Sequence, residues 1–197
     1  MILPSLVRET PEVTIMQKDS KPDIHLRPPE IGDAEAIARL GNNKKIWDNL
    51  RDYMPYPYSL DDAYSFIERI SKERPPHTFA IIRRSELCGI AGFLPQEDIY
   101  RHSLEMGYWL GEPYWGRGIA TSMLPLLLQY GFQELKAKRI FTSIFEHNIA
   151  SQRLVLHAGF QKEGILRKAV IKNGQLIDEH RYGLLRTDHE AQVYLGS

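Results

Sequence analysis

Tyr114-Trp115-Gly116-Arg117-Gly118-Ile119-Ala120 joins the end of one alternating apolar run to the start of a helical stripe, and its reading decides the fold. In the run before it, Ser103 to Leu110, residues Leu104, Met106, Tyr108 and Leu110 point one way and Glu105, Gly107 and Trp109 the other, the period of a strand. In the run after it Ile119, Met123, Leu126, Leu127 and Tyr130 recur with the period of a helix, carried through Pro125 with a kink. At such a junction the first amides of the helix have no intrahelical partner and align with the positive end of the dipole, which suits a phosphate group. The glycines allow close backbone approach, and Arg117 can add a charge-assisted bond to a pyrophosphate oxygen. Spacing alone equally permits a tight turn with a solvated arginine. The stretch is neither a Walker loop, since it lacks Gly-Lys-Ser/Thr, nor a full dinucleotide fingerprint, since it lacks the third glycine and does not follow the first strand.

Working outward toward the N-terminus, Thr78 to Arg83 and Leu87 to Leu94 are β-rich runs separated by Arg84-Ser85-Glu86, a hairpin signal. Ser59 and Asp62 have capping-box spacing ahead of the stripe Ala63, Phe66, Ile67 and Ile70. Asp23 to Arg27 alternates as a strand, and Asp33 is placed to cap a helix carrying Ala36, Ile37 and Leu40 on one face. Toward the C-terminus, Arg139 to Phe145 reads as a strand, Asn148 caps a helix running to about His157, and Gly159 supplies a left-handed stop. Gln161 to Lys172 and Gln175 to Leu185 form a hairpin through Asn173-Gly174. The order is strand, two helices, three antiparallel strands, helix, strand, helix and hairpin, an α+β fold. Residues 1–21 form an N-terminal arm, 22–187 one domain and 188–197 a C-terminal tail.

The 197 residues are 43% hydrophobic and carry 25 basic and 25 acidic side chains, enough for one core and without the net positive field that holds a nucleic acid. No stretch approaches the roughly 20 apolar residues of a membrane helix, and the N-terminus does not have the pattern of a secretory leader. The one cysteine, Cys88, lies in a β-rich run and reads as core, which fits a reducing cytoplasm. The seven histidines show no paired-ligand spacing, so no metal is expected. Trp47, Tyr53, Tyr56 and Tyr58, with Asp48 and Asp52, form either the wall of a pocket for a cationic amine or an ordinary packing cluster.

Four stretches occur in order: Glu105-Met106-Gly107-Tyr108-Trp109-Leu110, Tyr114 to Thr121, Asn148-Ile149-Ala150-Ser151, and Ala158-Gly159-Phe160. Together they resemble the successive motifs of the GNAT superfamily of N-acetyltransferases, in its RimJ/RimL branch, which acetylates ribosomal-protein N-termini and whose relatives act on other amines. The resemblance runs from about Ile24 to Arg186. It implies a mixed sheet with helices on both faces, in which two parallel strands splay apart to admit the pantetheine arm of coenzyme A. Carried over, Gly116, Arg117, Gly118, Ile119, Ala120 and Thr121 would hold the pyrophosphate of acetyl-CoA. Trp109 and Leu110 would offer backbone groups to the pantetheine and thioester, and Asn148 would meet the pantetheine from the other strand. Trp115 stands where the family often has Gln or Arg.

An amine attacks a thioester only as the neutral base, so the site must take a proton, stabilise an oxyanion and protonate a leaving thiolate. Glu105, opposite the aliphatic face of its strand, is the candidate proton acceptor, and a backbone N–H near Leu110 the candidate oxyanion donor. The tyrosine that many members use as the acid is matched by Val155 here. The resemblance instead puts Ser151 in that role, although its position equally suits the first turn of a capped helix. The acceptor is a small-molecule amine or a protein N-terminus. The alternative is a catalytically silent acyl-CoA sensor or assembly module. The last hairpin, with long strands ending the sheet, is placed to pair with a second copy as a homodimer.

Overall fold

The computed structural model describes residues 14–16 and 23–195. The expected N-terminal arm lies outside the described residues except at 14–16, where Ile15–Met16 forms a two-residue strand, β1, against Leu26 and His25. The chain continues through β2 (Ile24–Arg27), α1 (Ala34–Gly41), α2 (Lys44–Trp47), α3 (Leu60–Ile70), β3 (Thr78–Arg83), β4 (Glu86–Pro95) and β5 (Ser103–Leu110). After these come α4 (Ile119–Gln133), β6 (Arg139–Phe145), α5 (Ile149–His157), β7 (Gln161–Lys172), β8 (Gln175–Leu185) and α6 (Arg186–Leu195). The strands form one sheet in the order β1-β2-β3-β4-β5-β6-β8-β7, antiparallel throughout except between β5 and β6. This is the expected α+β architecture.

The local signals act as their chemistry requires. Ser59 Oγ accepts the Asp62 amide at 3.1 Å, and the Asp62 carboxylate accepts the Ser59 amide at 2.8 Å, closing a capping box on α3. Asn173 and Gly174 take φ of 52° and 73° between the paired Lys172 and Gln175, the left-handed pair of a two-residue hairpin. Arg84 and Ser85 do the same with φ of 48° and 67°, so Glu86 belongs to β4 rather than to the turn. Helix α4 runs unbroken with Pro125 on its exposed side, and it buries Leu124, Leu128 and Phe132 in addition to the expected stripe.

Three elements depart from the sequence reading. Asp33 precedes α1 but does not cap it; its buried carboxylate accepts both guanidinium nitrogens of Arg27, at 2.7 and 2.9 Å, and the Glu30 amide at 2.8 Å. A buried carboxylate takes the strongest donors within reach, and the result ties β2 to α1. Helix α2 sits within residues 42–58, rich in aromatics and prolines and assigned no element from sequence, where Asn43 Oδ1 accepts the Lys45 amide at 2.9 Å. Helix α6 covers most of the segment read as a tail, and His189 stacks on Phe132 with centroids 5.1 Å apart.

Two apolar layers flank the sheet. On one face α4 and α5 pack on Phe79, Ile81, Phe93, Leu104, Met106, Ile140 and Ile144. On the other, α1 and α3 pack on Ala80, Ile82 and Ile90, with Trp109 against them. The β5–β6 pairing is short: Ser103 meets Arg139, Leu104 meets Ile140, Glu105 meets Phe141, and beyond that point the two strands no longer pair.

Candidate active site

The opening between β5 and β6 is where the candidate residues gather. Leu110 pairs opposite Gly89, while the next residue, Gly111, donates its amide to the Cys88 carbonyl at 2.8 Å. Antiparallel pairs alternate between bonded and non-bonded, so the backbone N–H and C=O of Leu110 face away from β4, toward the opening. The same alternation turns the Tyr108 amide toward the opening and pairs the Trp109 backbone with Ile90. Of the two positions carried over from the family, Leu110 therefore has its amide on the opening, whereas Trp109 contributes its side chain to the opposite face.

The loop before α4 presents a row of unpartnered backbone donors. Gly116 and Gly118 have φ of 69° and 72°, a left-handed backbone that glycine adopts without strain. Among the described residues, the amides of Gly116, Arg117, Gly118, Ile119, Ala120 and Thr121 make no hydrogen bond within the protein; the first helical amide to do so is Ser122, to the Gly118 carbonyl at 3.0 Å. This run of unpartnered donors at a helix N-terminus fits a pyrophosphate. Arg117 and Thr121 are exposed there, and the Ile119 side chain is buried in the core. The Trp115 indole donates to the Leu110 carbonyl at 2.8 Å, so this residue braces the loop against the end of β5.

On the far side of the opening, Asn148 Oδ1 accepts the Ser151 amide at 3.1 Å and starts α5. Ser151 Oγ lies 2.7 Å from the Tyr108 hydroxyl. Burial pushes the Tyr108 phenol above its ordinary value, so it stays protonated at neutral pH and is available as a donor. With Tyr108 donating, the serine proton is free to turn into the opening. The sequence reading assigned Tyr108 only to the aliphatic face of its strand.

The other face of β5 borders a cleft of about 630 Å³ lined by Arg51, Tyr53, Tyr58, Asp62, Phe66, Arg69, Glu105, Gly107, Trp109 and Glu179, among others. Glu105 is only 14% exposed and accepts both guanidinium nitrogens of Arg51, a two-pronged ion pair. Of the aromatic cluster, Tyr53 and Tyr58 line the cleft, while Trp47 packs on Tyr56 at 5.8 Å. Asp48 and Asp52 are engaged elsewhere, with Lys44 and Asn173 and with Lys172 respectively. Cys88 is buried in the core and its thiol is pushed up to about 11 by burial, so it is no nucleophile. Among the described residues, no group of His, Cys, Asp and Glu is placed to hold a metal ion, and no helix is long and apolar enough to cross a membrane.

Residues 23–161 match the acetyltransferase (GNAT) domain family. The chain belongs to the GNAT acetyltransferases. It is 33% identical over 160 residues to the uncharacterized N-acetyltransferase YoaA of Bacillus subtilis, covering 78% of this chain and 88% of that protein. With the probable N-acetyltransferase YjcK of the same organism it shares 32% identity over 176 residues, 85% and 96% of the two chains. The structure of Mycobacterium smegmatis RimJ in complex with CoA-disulfide superposes with a TM-score of 0.77 at 21% identity, covering 89% and 90%. RimL in complex with coenzyme A gives 0.74 at 23%, covering 84% and 95%, and the microcin C7 self-immunity acetyltransferase MccE in complex with acetyl-CoA and AMP gives 0.71 at 27%, covering 82% and 92%. The RimJ/RimL-type GNAT fold and an acetyltransferase activity are thereby shown for this enzyme.

Proposed function

We propose that this GNAT enzyme transfers the acetyl group of acetyl-CoA to a primary amine by direct attack, and the observation that carries the reading is the opening between β5 and β6. Unpartnered amides lie before α4 and the Tyr108–Ser151 pair lies on one face of the sheet, while the Glu105 side chain lies on the other, in a cleft that reaches through to Tyr108. The two substrates thus approach from opposite faces. When bound, acetyl-CoA supplies an activated acyl carbon. The amides of Gly116 to Thr121 and the Arg117 guanidinium hold its phosphates, Asn148 contacts the pantetheine, and the Leu110 amide donates to the carbonyl oxygen as that oxygen gains charge. Glu105 takes the proton lost by the amine, directly or through water. Ser151 gives a proton to the sulfur as the carbon–sulfur bond breaks and regains one from solvent, to which Glu105 releases the proton taken from the amine, so the products are an amide and free thiol. For Glu105 to act, the incoming ammonium must take over from Arg51, because the guanidinium occupies both carboxylate oxygens.

Relatives that carry the name acetyltransferase weigh against a silent sensor. The edge strand β7 and its exposed Ile165, Leu166 and Ile171 support a second copy docking there as a homodimer. With no net charge on the chain, nucleic acid is not among the partners we propose, and a reducing cytoplasm is the setting we propose for an enzyme with one buried cysteine.

The test is calorimetric titration with acetyl-CoA, followed by thiol release against a panel of amines and N-terminal peptides. Micromolar binding with turnover is expected, and absence of binding overturns the reading. Ser151→Ala lowers kcat about tenfold or more with little change in the acetyl-CoA KM. Tyr108→Phe has a smaller effect of the same kind, and the double variant is no slower than Ser151→Ala, because the two hydroxyls act as one unit. Additive losses would separate them.

A further inference from the structure

The charges of the acceptor cleft point to the substrate. Glu105 is paired with Arg51 and Glu179 with Arg181 at 3.2 Å, while one oxygen of Asp62 accepts the Ser59 amide and hydroxyl. Among the described residues the lining arginine Arg69 has no hydrogen-bond or ion-pair partner, and its guanidinium stands 5.5 Å from the Phe66 ring centroid. An acceptor's ammonium must therefore compete with an arginine for Glu105, and Arg69 stands at the cleft without a bonded counter-ion.

Arg51 adds to this as soon as Glu105 is used. Its loop is fixed on both sides of it: the Lys172 ammonium donates to the Leu50 carbonyl at 2.8 Å and to Asp52 at 2.6 Å. Lys172 is itself only 4% exposed and lies 3.3 Å from the Trp47 ring centroid. An ammonium that takes Glu105 therefore leaves Arg51 tethered at the cleft wall with no counter-ion. The floor next to Glu105 is bare, since nothing lies within 4 Å of where a Cβ at Gly107 would stand. The cleft thus has room for more of the acceptor than its amine.

We propose that the acceptor is an amine that carries its own carboxylate a few bonds from the nitrogen, as a free amino acid or a peptide with an acidic second residue does. Its ammonium displaces Arg51 from Glu105, and its carboxylate is bound by Arg51 and Arg69. This rests on the transferase reading of the same site. It sets the enzyme apart from one that serves polyamines, whose added charges are positive.

The experiment compares Ser-Glu and Ser-Gln N-terminal peptides, serine, serinamide and spermidine as acceptors for the wild-type enzyme and for Arg69→Gln and Arg51→Gln. The Ser-Glu peptide or serine is expected to exceed its amide counterpart by roughly tenfold in kcat/KM, the size of one charge-assisted bond. Which pair shows the preference tells a peptide acceptor from an amino acid. Arg69→Gln removes the preference through KM, with kcat within about twofold. Arg51→Gln narrows it as well, and lowers the KM for serinamide by freeing Glu105. Equal use of acid and amide acceptors, or preference for spermidine, overturns the proposal and leaves the transferase standing. Binding of the Ser-Glu peptide to the enzyme in the presence of CoA is measured separately by calorimetry. Arg69-dependent binding without turnover supports this charge reading and fails the transferase reading instead.

Discussion

Gly118→Asp weakens acetyl-CoA binding at least a hundredfold while leaving the protein folded. The residue ahead of α4 has φ of 72°, and nothing lies within 4 Å of an added Cβ, so a side chain fits there without collision. Aspartate is among the residues that best tolerate a left-handed backbone, so the fold loses little. Its carboxylate would stand among the donors proposed for the pyrophosphate. Like charges at contact distance near a protein surface repel by roughly 4 kcal/mol per pair, reduced by solvent at so exposed a loop. A rise in Kd of a hundredfold or more is therefore expected, with a melting temperature within a few degrees of the wild type. Titration calorimetry and thermal melting read the two quantities. Affinity within threefold of the wild type would mean that the nucleotide does not rest on this loop.

Glu105→Gln is expected to cut kcat by about a hundredfold at neutral pH, the usual contribution of a positioned base. The amide keeps the shape and one acceptor oxygen, but it cannot hold the proton. The deficit shrinks as pH rises toward the pKa of the acceptor ammonium, because solvent then supplies the neutral amine that the carboxylate otherwise produces. Arg51 loses its ionic partner, a modest change in stability for a pair open to solvent on the arginine side. Rates at several pH values, with acetyl-CoA affinity as the control, decide the matter. A kcat within twofold of the wild type across the range would remove Glu105 as the proton acceptor and favour water alone.

Local order was legible in the chain, and long-range order was not. The Ser59–Asp62 box, the Asn148 cap and the Asn173-Gly174 turn each rest on atoms within a few residues of one another, so their residue types announce them. Helix α2 is a single short turn in a proline-rich stretch, and α6 has no clear apolar stripe, so neither offers a period to read. The partners that define the candidate site are farther apart: Arg51 and Glu105 are separated by 54 positions, and Tyr108 and Ser151 by 43. Alternation placed Glu105 on the correct face, but only the packed loop shows that an arginine already holds it. The buried ammonium of Lys172 is the same kind of case, since a lysine at the end of a strand gives no sign that it will sit on a tryptophan ring.

The sheet is made of two panels, each a continuous stretch of chain: residues 15–110 supply β1 to β5, and residues 139–185 supply β6 to β8. Among the described residues, only the short parallel seam from Ser103 and Arg139 to Glu105 and Phe141 joins them within the sheet. Every other ladder lies inside one panel. Outside the sheet the halves are held by the shared core under α4 and by Lys172, which bonds Leu50 and Asp52, so the slot beyond the seam is a gap between two panels braced on both faces rather than a break in either ladder.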